Sequence, residues 1–129
     1  MLNHYEIISD SFKVDFNKAI TLLNTEKEDI KKQAMELAKK MYKQTPVIYV
    51  ANGFEGVAVR FRQQLNENSK TIAVIDNLPE MFHNSIEGYE SKVFKQTNPY
   101  FILLTSTLYP ESVNKKFNQL KGLLKELNL

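Results

Sequence analysis

Pro46-Val47-Ile48-Tyr49-Val50-Ala51 is the stretch on which the fold turns. It is apolar throughout, rich in β-branched residues, and closed by the turn pair Asn52-Gly53. A strand with one wet face alternates apolar and polar residues. An unbroken run reads instead as a strand buried on both faces, as in the middle of a parallel sheet. Working outward, a helix is expected over residues 55–66, with Val57, Ala58, Phe61 and Leu65 turned inward. Residues 72–75 and 101–104 repeat the short apolar pattern and read as a second and a third strand. Between them, residues 78–89 read as a loop with a short helix starting near Pro79. Pro110 suits the first turn of a last helix, whose apolar stripe is Val113, Phe117, Leu120, Leu124 and Leu127.

Upstream, Phe16, Ile20 and Leu23 stand at i, i+4 and i+7 and mark a first helix, ended near Asn24-Thr25-Glu26. Ile30, Ala34, Leu37, Ala38 and Met41 mark one face of a second, over residues 28–43, whose Lys- and Glu-rich face is solvated. The order α-α-β-α-β-α-β-α implies a parallel sheet with helices on both faces. The expectation is a single domain, residues 1–129, with N-terminal helices over 12–43. Three strands are few, since sheets have about five or six. A short sheet leaves an edge for a partner to cover, so a homodimer or larger assembly is expected.

Composition excludes several classes. The 129 residues amount to one ordinary domain. Seventeen basic and fifteen acidic residues leave a net charge of +2, without the basic stripe of a nucleic-acid binder. With no cysteine, a disulfide, a thiolate nucleophile and a cysteine zinc site are all ruled out. The N-terminus has no signal-peptide pattern, and no apolar run approaches the ~20 residues of a membrane span. A cytoplasmic location is expected. The two histidines, His4 and His83, show no metal-ligand spacing, and no Gly-x-Ser-x-Gly elbow is present. Neither a metal nor a cofactor is expected.

The chemistry-bearing stretch is Gln64-Leu65-Asn66-Glu67-Asn68-Ser69-Lys70, followed by His83-Asn84. Asn-Glu-Asn makes a poor helix interior but brings polar groups to the rim of a sheet. A carboxylate there and an imidazole on the next connection supply a general base and a proton shuttle. The plainer alternatives are a solvated glutamate and a loop histidine satisfied by backbone. Arg60 stands seven residues before Glu67, on the same side of a continuous helix. Asn52-Gly53-Phe54-Glu55-Gly56 is a turn whose Glu55 would repel a phosphate, and Thr105-Ser106-Thr107 places hydroxyls after the third strand.

Pro46-Val47-Ile48-Tyr49, Ala58-Val59-Arg60-Phe61, Gln64 to Lys70, Pro79-Glu80 and His83-Asn84-Ser85-Ile86-Glu87-Gly88 together resemble the C-terminal sugar isomerase (SIS) domain of bifunctional phosphoglucose/phosphomannose isomerases. The resemblance is sharpest over residues 45–90. It implies an SIS-like, flavodoxin-like three-layer α/β domain with a parallel sheet, here reduced in strand number. It implies a sugar phosphate as ligand and an aldose–ketose isomerase activity, from glucose 6-phosphate or mannose 6-phosphate to fructose 6-phosphate. Glu67 matches the base that moves a proton between C1 and C2. His83 matches the histidine that assists ring opening from across a dimer interface. Arg60, Asn66, Asn68 and Asn84 are the substrate-binding candidates. In the family a second, N-terminal SIS half carries the Ser/Thr-rich phosphate loops, which have no counterpart here, and Ser85 stands where a glutamate is usual. The expected partner is therefore a second copy or a chain carrying that half. The alternative is a non-catalytic module that binds a sugar phosphate or only assembles.

Overall fold

The computed structural model describes residues 11–129, which fall into two compact units divided after Lys40. In the first, α1 (Ser11–Thr25) and α2 (Lys27–Lys40) are separated only at Glu26, whose N–H still donates to the Leu22 carbonyl at 2.9 Å. Neither helix has a buried residue. Ion pairs Lys18–Asp15 (3.5 Å) and Lys31–Glu28 (2.8 Å) are exposed and contribute little.

The second unit is a parallel sheet of three strands: β1 (Thr45–Ala51), β2 (Val74–Leu78) and β3 (Pro99–Leu103), in the order β2-β1-β3. The apolar run is the central strand, buried from Pro46 to Ala51. Its two faces meet two layers. Ile48 and Val50 pack with Ala58 and Leu65 of α3 (Glu55–Asn68), together with Phe54, Phe61 and Ile102. Val47, Tyr49 and Ala51 pack with Phe117, Leu120 and Leu124 of α5 (Glu111–Glu126), and with Met81 and Tyr89 of the β2–β3 connection. That connection holds two single-turn 3-10 helices, Glu80–His83 and Ser85–Gly88, and a short helix, α4 (Lys92–Gln96), that begins at the Ser91 cap.

The parallel sheet and the last helix agree with the sequence reading. Three details differ. The second strand lies two to three residues later than expected. Ile72 is 78% exposed, and the pairing starts at Val74 and takes in the polar Asp76 and Asn77. An edge strand tolerates polar residues that a central strand does not. Val57 is not inward: it is 57% exposed, because α3 buries Ala58 and Leu65 and turns Val57 away. The helix expected to reach residue 43 stops at Lys40, and Lys43 holds a left-handed φ of 61°.

The ends of β1 are secured by side chains. At its start, Thr45 N–H donates to the Asn98 carbonyl (2.9 Å) and Thr45 Oγ1 to the Thr97 carbonyl (2.8 Å). Asn98 holds a left-handed φ of 50°, which suits asparagine, and its Nδ2 donates to the Lys43 carbonyl at 3.2 Å. At the far end, β3 stops at Leu103, short of Ala51. The Tyr109 hydroxyl fills that gap: it accepts from Ala51 N–H (3.2 Å) and donates to the Ala51 carbonyl (3.1 Å).

Tyr49, Tyr89, Phe94 and Phe101 form an aromatic cluster, with Tyr89 stacked on Phe94 at 5.0 Å between centroids and Tyr49 on Phe101 at 6.1 Å. The Tyr49 and Tyr89 hydroxyls are buried without a hydrogen-bond partner. Burial pushes the Tyr89 phenol above its ordinary range.

Two outcomes follow for the core. Tyr109→Phe leaves both Ala51 groups without their buried partner and should cost about 1–3 kcal/mol in urea unfolding. Tyr89→Phe removes a hydroxyl that has no partner, so stability at neutral pH should hold or rise. In alkali the unfolded phenol ionises near pH 10 while the folded one stays neutral. Wild type should therefore lose stability as pH rises past about 10, and Tyr89→Phe should lose less.

Candidate functional site

α3 leaves the C-terminal end of β1 and returns the chain to the start of β2, so its last turn sits where the strands begin. The Asn66 side chain ties it there: Oδ1 accepts from Ala73 N–H at 3.2 Å, just before β2. Glu67 is exposed in this turn. Its main-chain carbonyl accepts from Lys70 Nζ at 2.7 Å. No hydrogen bond or ion pair engages its carboxylate among the described residues. Such a carboxylate can accept a proton from a bound molecule without first breaking a contact.

Arg60, Gln64 and Asn68 follow one another at i, i+4 and i+8 along α3. With the Gln64 amide oxygen turned toward Arg60, it accepts from Nη2 at 2.9 Å and Nη1 at 3.2 Å, while the amide nitrogen faces the Asn68 amide at 2.9 Å. Arg60 and Asn68 thus belong to one polar row leading toward Glu67.

His83 closes the first 3-10 turn after β2 and is exposed. Asn84 next to it caps the following turn, its Oδ1 accepting from Ser85 N–H at 2.5 Å and from Ser85 Oγ at 3.0 Å. This segment lies beyond the C-terminal end of β2 and packs with the core on the α5 side of the sheet. Glu67 lies at the other end, on the α3 side. One chain does not bring the two together, so a site containing both needs two chains.

Glu55 and the hydroxyl loop serve local structure. Glu55 Oε2 accepts from Gly53 N–H at 2.7 Å, inside a turn where Gly53 holds φ 97°. Ser106 Oγ accepts from Leu108 N–H at 3.1 Å.

A hollow of about 320 Å³ was not anticipated from the sequence. It lies on the α5 side of the sheet beneath the β2–β3 connection, lined by Val47, Tyr49, Val74, Asp76, Ser85 and Tyr89 among others. Asp76, next after the apolar run 72–75, is the charged side chain among its lining residues. Among the described residues no group of three or more His, Cys, Asp or Glu could hold a metal, and no helix is long and apolar enough to cross a membrane.

Residues 30–128 match the model of the bacterial phospho-glucose isomerase C-terminal SIS domain. The chain is 33% identical over 76 residues to a bifunctional phosphoglucose/phosphomannose isomerase of Aquifex aeolicus, covering 59% of this chain and 24% of that protein. It is 39% identical over 59 residues to the enzyme of the same name from Pyrobaculum aerophilum, covering 46% and 20%. It is 38% identical over 66 residues to a D-glucosamine-6-phosphate 4-epimerase of Sulfolobus acidocaldarius, covering 51% and 21%. The matched stretches span between a fifth and a quarter of these relatives. No solved structure matches the chain. With the family model covering most of its length, and a parallel α/β sheet beneath that match, this chain belongs to the bacterial phosphoglucose isomerase C-terminal SIS domain family.

Proposed function

We propose that the chain is the base-bearing part of a sugar-phosphate aldose–ketose isomerase, with glucose 6-phosphate or mannose 6-phosphate and fructose 6-phosphate as its substrate pair. The observation that carries this reading is Glu67: exposed on the last turn of α3, its carboxylate unengaged, at the position that matches the family's base. In the open-chain aldose the C2–H bond lies next to the C1 carbonyl. Glu67 takes that proton, and the electron pair moves into an enediolate across C1 and C2. Returning the proton to C1, with O–H exchange between the two oxygens, gives the ketose. His83 of a second chain moves a proton to or from the ring oxygen as the sugar opens. Asn66 and Asn68 flank Glu67 in the chain and Asn84 follows His83; with Arg60, two helical turns before Glu67, they are the candidate hydrogen-bond partners for the sugar. The phosphate contacts come from a second copy or from a chain carrying the N-terminal SIS half.

The 4-epimerase relative supports a second substrate class, a 6-phosphorylated amino sugar, so the assay panel includes glucosamine 6-phosphate. A coupled assay on fructose 6-phosphate tests the first reading. Glu67→Gln should lower kcat by about 10²–10⁴. It should leave the fold intact, since a carboxylate at a helix C-terminus faces the negative end of the helix dipole. His83→Asn should also lose activity, and mixing the two inactive variants should restore part of it, because a mixed pair holds one intact Glu67–His83 set. A folded Glu67→Gln variant with full turnover would exclude the mechanism. If wild type neither turns over nor binds a sugar phosphate, alone or with a chain carrying the other half, the chain is an assembly module.

A further inference from the structure

Leu65 is the last buried residue of α3, and it packs in one core cluster with Ile48, Val50 and Ala73. The helix closes on it: the Leu65 carbonyl accepts from Ser69 N–H at 3.0 Å and from Thr71 N–H at 3.3 Å, with Lys70 between them at a left-handed φ of 54°. Residues 66–70 are exposed. Glu67 thus lies beyond the last apolar anchor of its helix, and helix ends fray unless something ties them. The contacts of Asn68 with Gln64 and of Lys70 Nζ with the Glu67 carbonyl are local, and they tie the turn only to its own helix. Asn66 reaches further. Its Oδ1 accepts from the N–H of Ala73, seven residues on, at 3.2 Å. Ala73 is 5% exposed and belongs to the same core cluster as Leu65. This contact joins the exposed turn to a segment that the core holds in place.

We infer that Asn66 is a positioning residue: it fixes the turn that carries Glu67 against the head of β2, and it acts on the sugar through Glu67 rather than by touching it. This rests on the isomerase reading of Glu67. The Asn66 amide has one orientation open to it, because a main-chain N–H is met by an acceptor and the amide nitrogen is a donor. Its oxygen, the atom that would accept from a sugar hydroxyl, is thereby committed to Ala73. Glu67 is the next residue, so its Cα is carried wherever Asn66 is held. Proton abstraction tolerates little error in the placement of the base, and a shift of about 1 Å can cost about 10²-fold in rate. Helix propensity gives no reason for asparagine here, since alanine or lysine would favour the turn more. The tether is what this side chain adds.

Two kinds of measurement on the full chain separate the tether from the chemistry. By NMR, Asn66→Ala should lower the backbone order parameter at Glu67 and speed hydrogen exchange of the Ala73 amide by about tenfold or more, while Ile48 and Val50 keep their protection. Asn66→Asp keeps an acceptor in the same place and should restore both. Alanine is the better helix former, so loosening in that variant cannot come from lost propensity. In the coupled assay on fructose 6-phosphate, at about pH 8 where carboxylates are ionised, Asn66→Ala should lower kcat by about 10–10²-fold. KM should stay within about twofold, since no binding contact is lost, and Asn66→Asp should recover most of kcat. A wild type without turnover removes the isomerase reading, and the order and exchange measurements then decide the tether by themselves. The inference is overturned if Glu67 is as ordered in Asn66→Ala as in wild type. It is equally overturned if Asn66→Ala raises KM and spares kcat, as loss of a sugar contact would, or if Asn66→Asp restores nothing.

Discussion

The structure depends on the saturation of β1. A strand buried on both faces has no water for its main-chain groups, so every N–H and C=O must find a protein partner. β2 and β3 supply most of them. Where the neighbouring strands fall short, groups outside them substitute: the Asn98 main-chain carbonyl accepts from Thr45 N–H at the start, and the Tyr109 hydroxyl takes both groups of Ala51 at the end. These partners come from segments far away in sequence, so saturating one strand also fixes where the β2–β3 connection ends and where α5 begins. The two crossovers must lie on opposite faces, since β2 and β3 flank β1 on opposite sides and connections of this kind are right-handed.

This explains what could be read from the sequence. Residues 46–51 and the stripe Phe117, Leu120, Leu124 are governed by burial, and burial writes a plain apolar pattern. β2 was displaced in the reading because an edge strand is held by its ladder on one side only. Its polar Asp76 and Asn77 look like the end of a strand, while the exposed Ile72 looks like the start of one. α4 escaped notice because a five-residue helix shows too little periodicity; its signal was the Ser91 cap, whose Oγ accepts from Phe94 N–H at 3.0 Å. Val57 was misjudged because it sits within one helical turn of true core positions.

The candidate site was legible in part. Glu67 and His83 stand out as polar groups in unfavourable helix and turn contexts. Local hydrogen bonding gives several neighbours structural work that no motif announces: Asn66 holds the chain entering β2, and Asn84 caps a turn. The hollow between Tyr49, Asp76 and Tyr89 was out of reach, since it exists only because the β2–β3 connection crosses that face.

The placement of Glu67 and His83 also limits how copies can combine. They lie at opposite ends of β2, a strand of five residues or about 16 Å, and on opposite faces of the sheet. A site that holds both groups therefore needs a contact that sets the end of α3 on one chain against the turn after β2 on another.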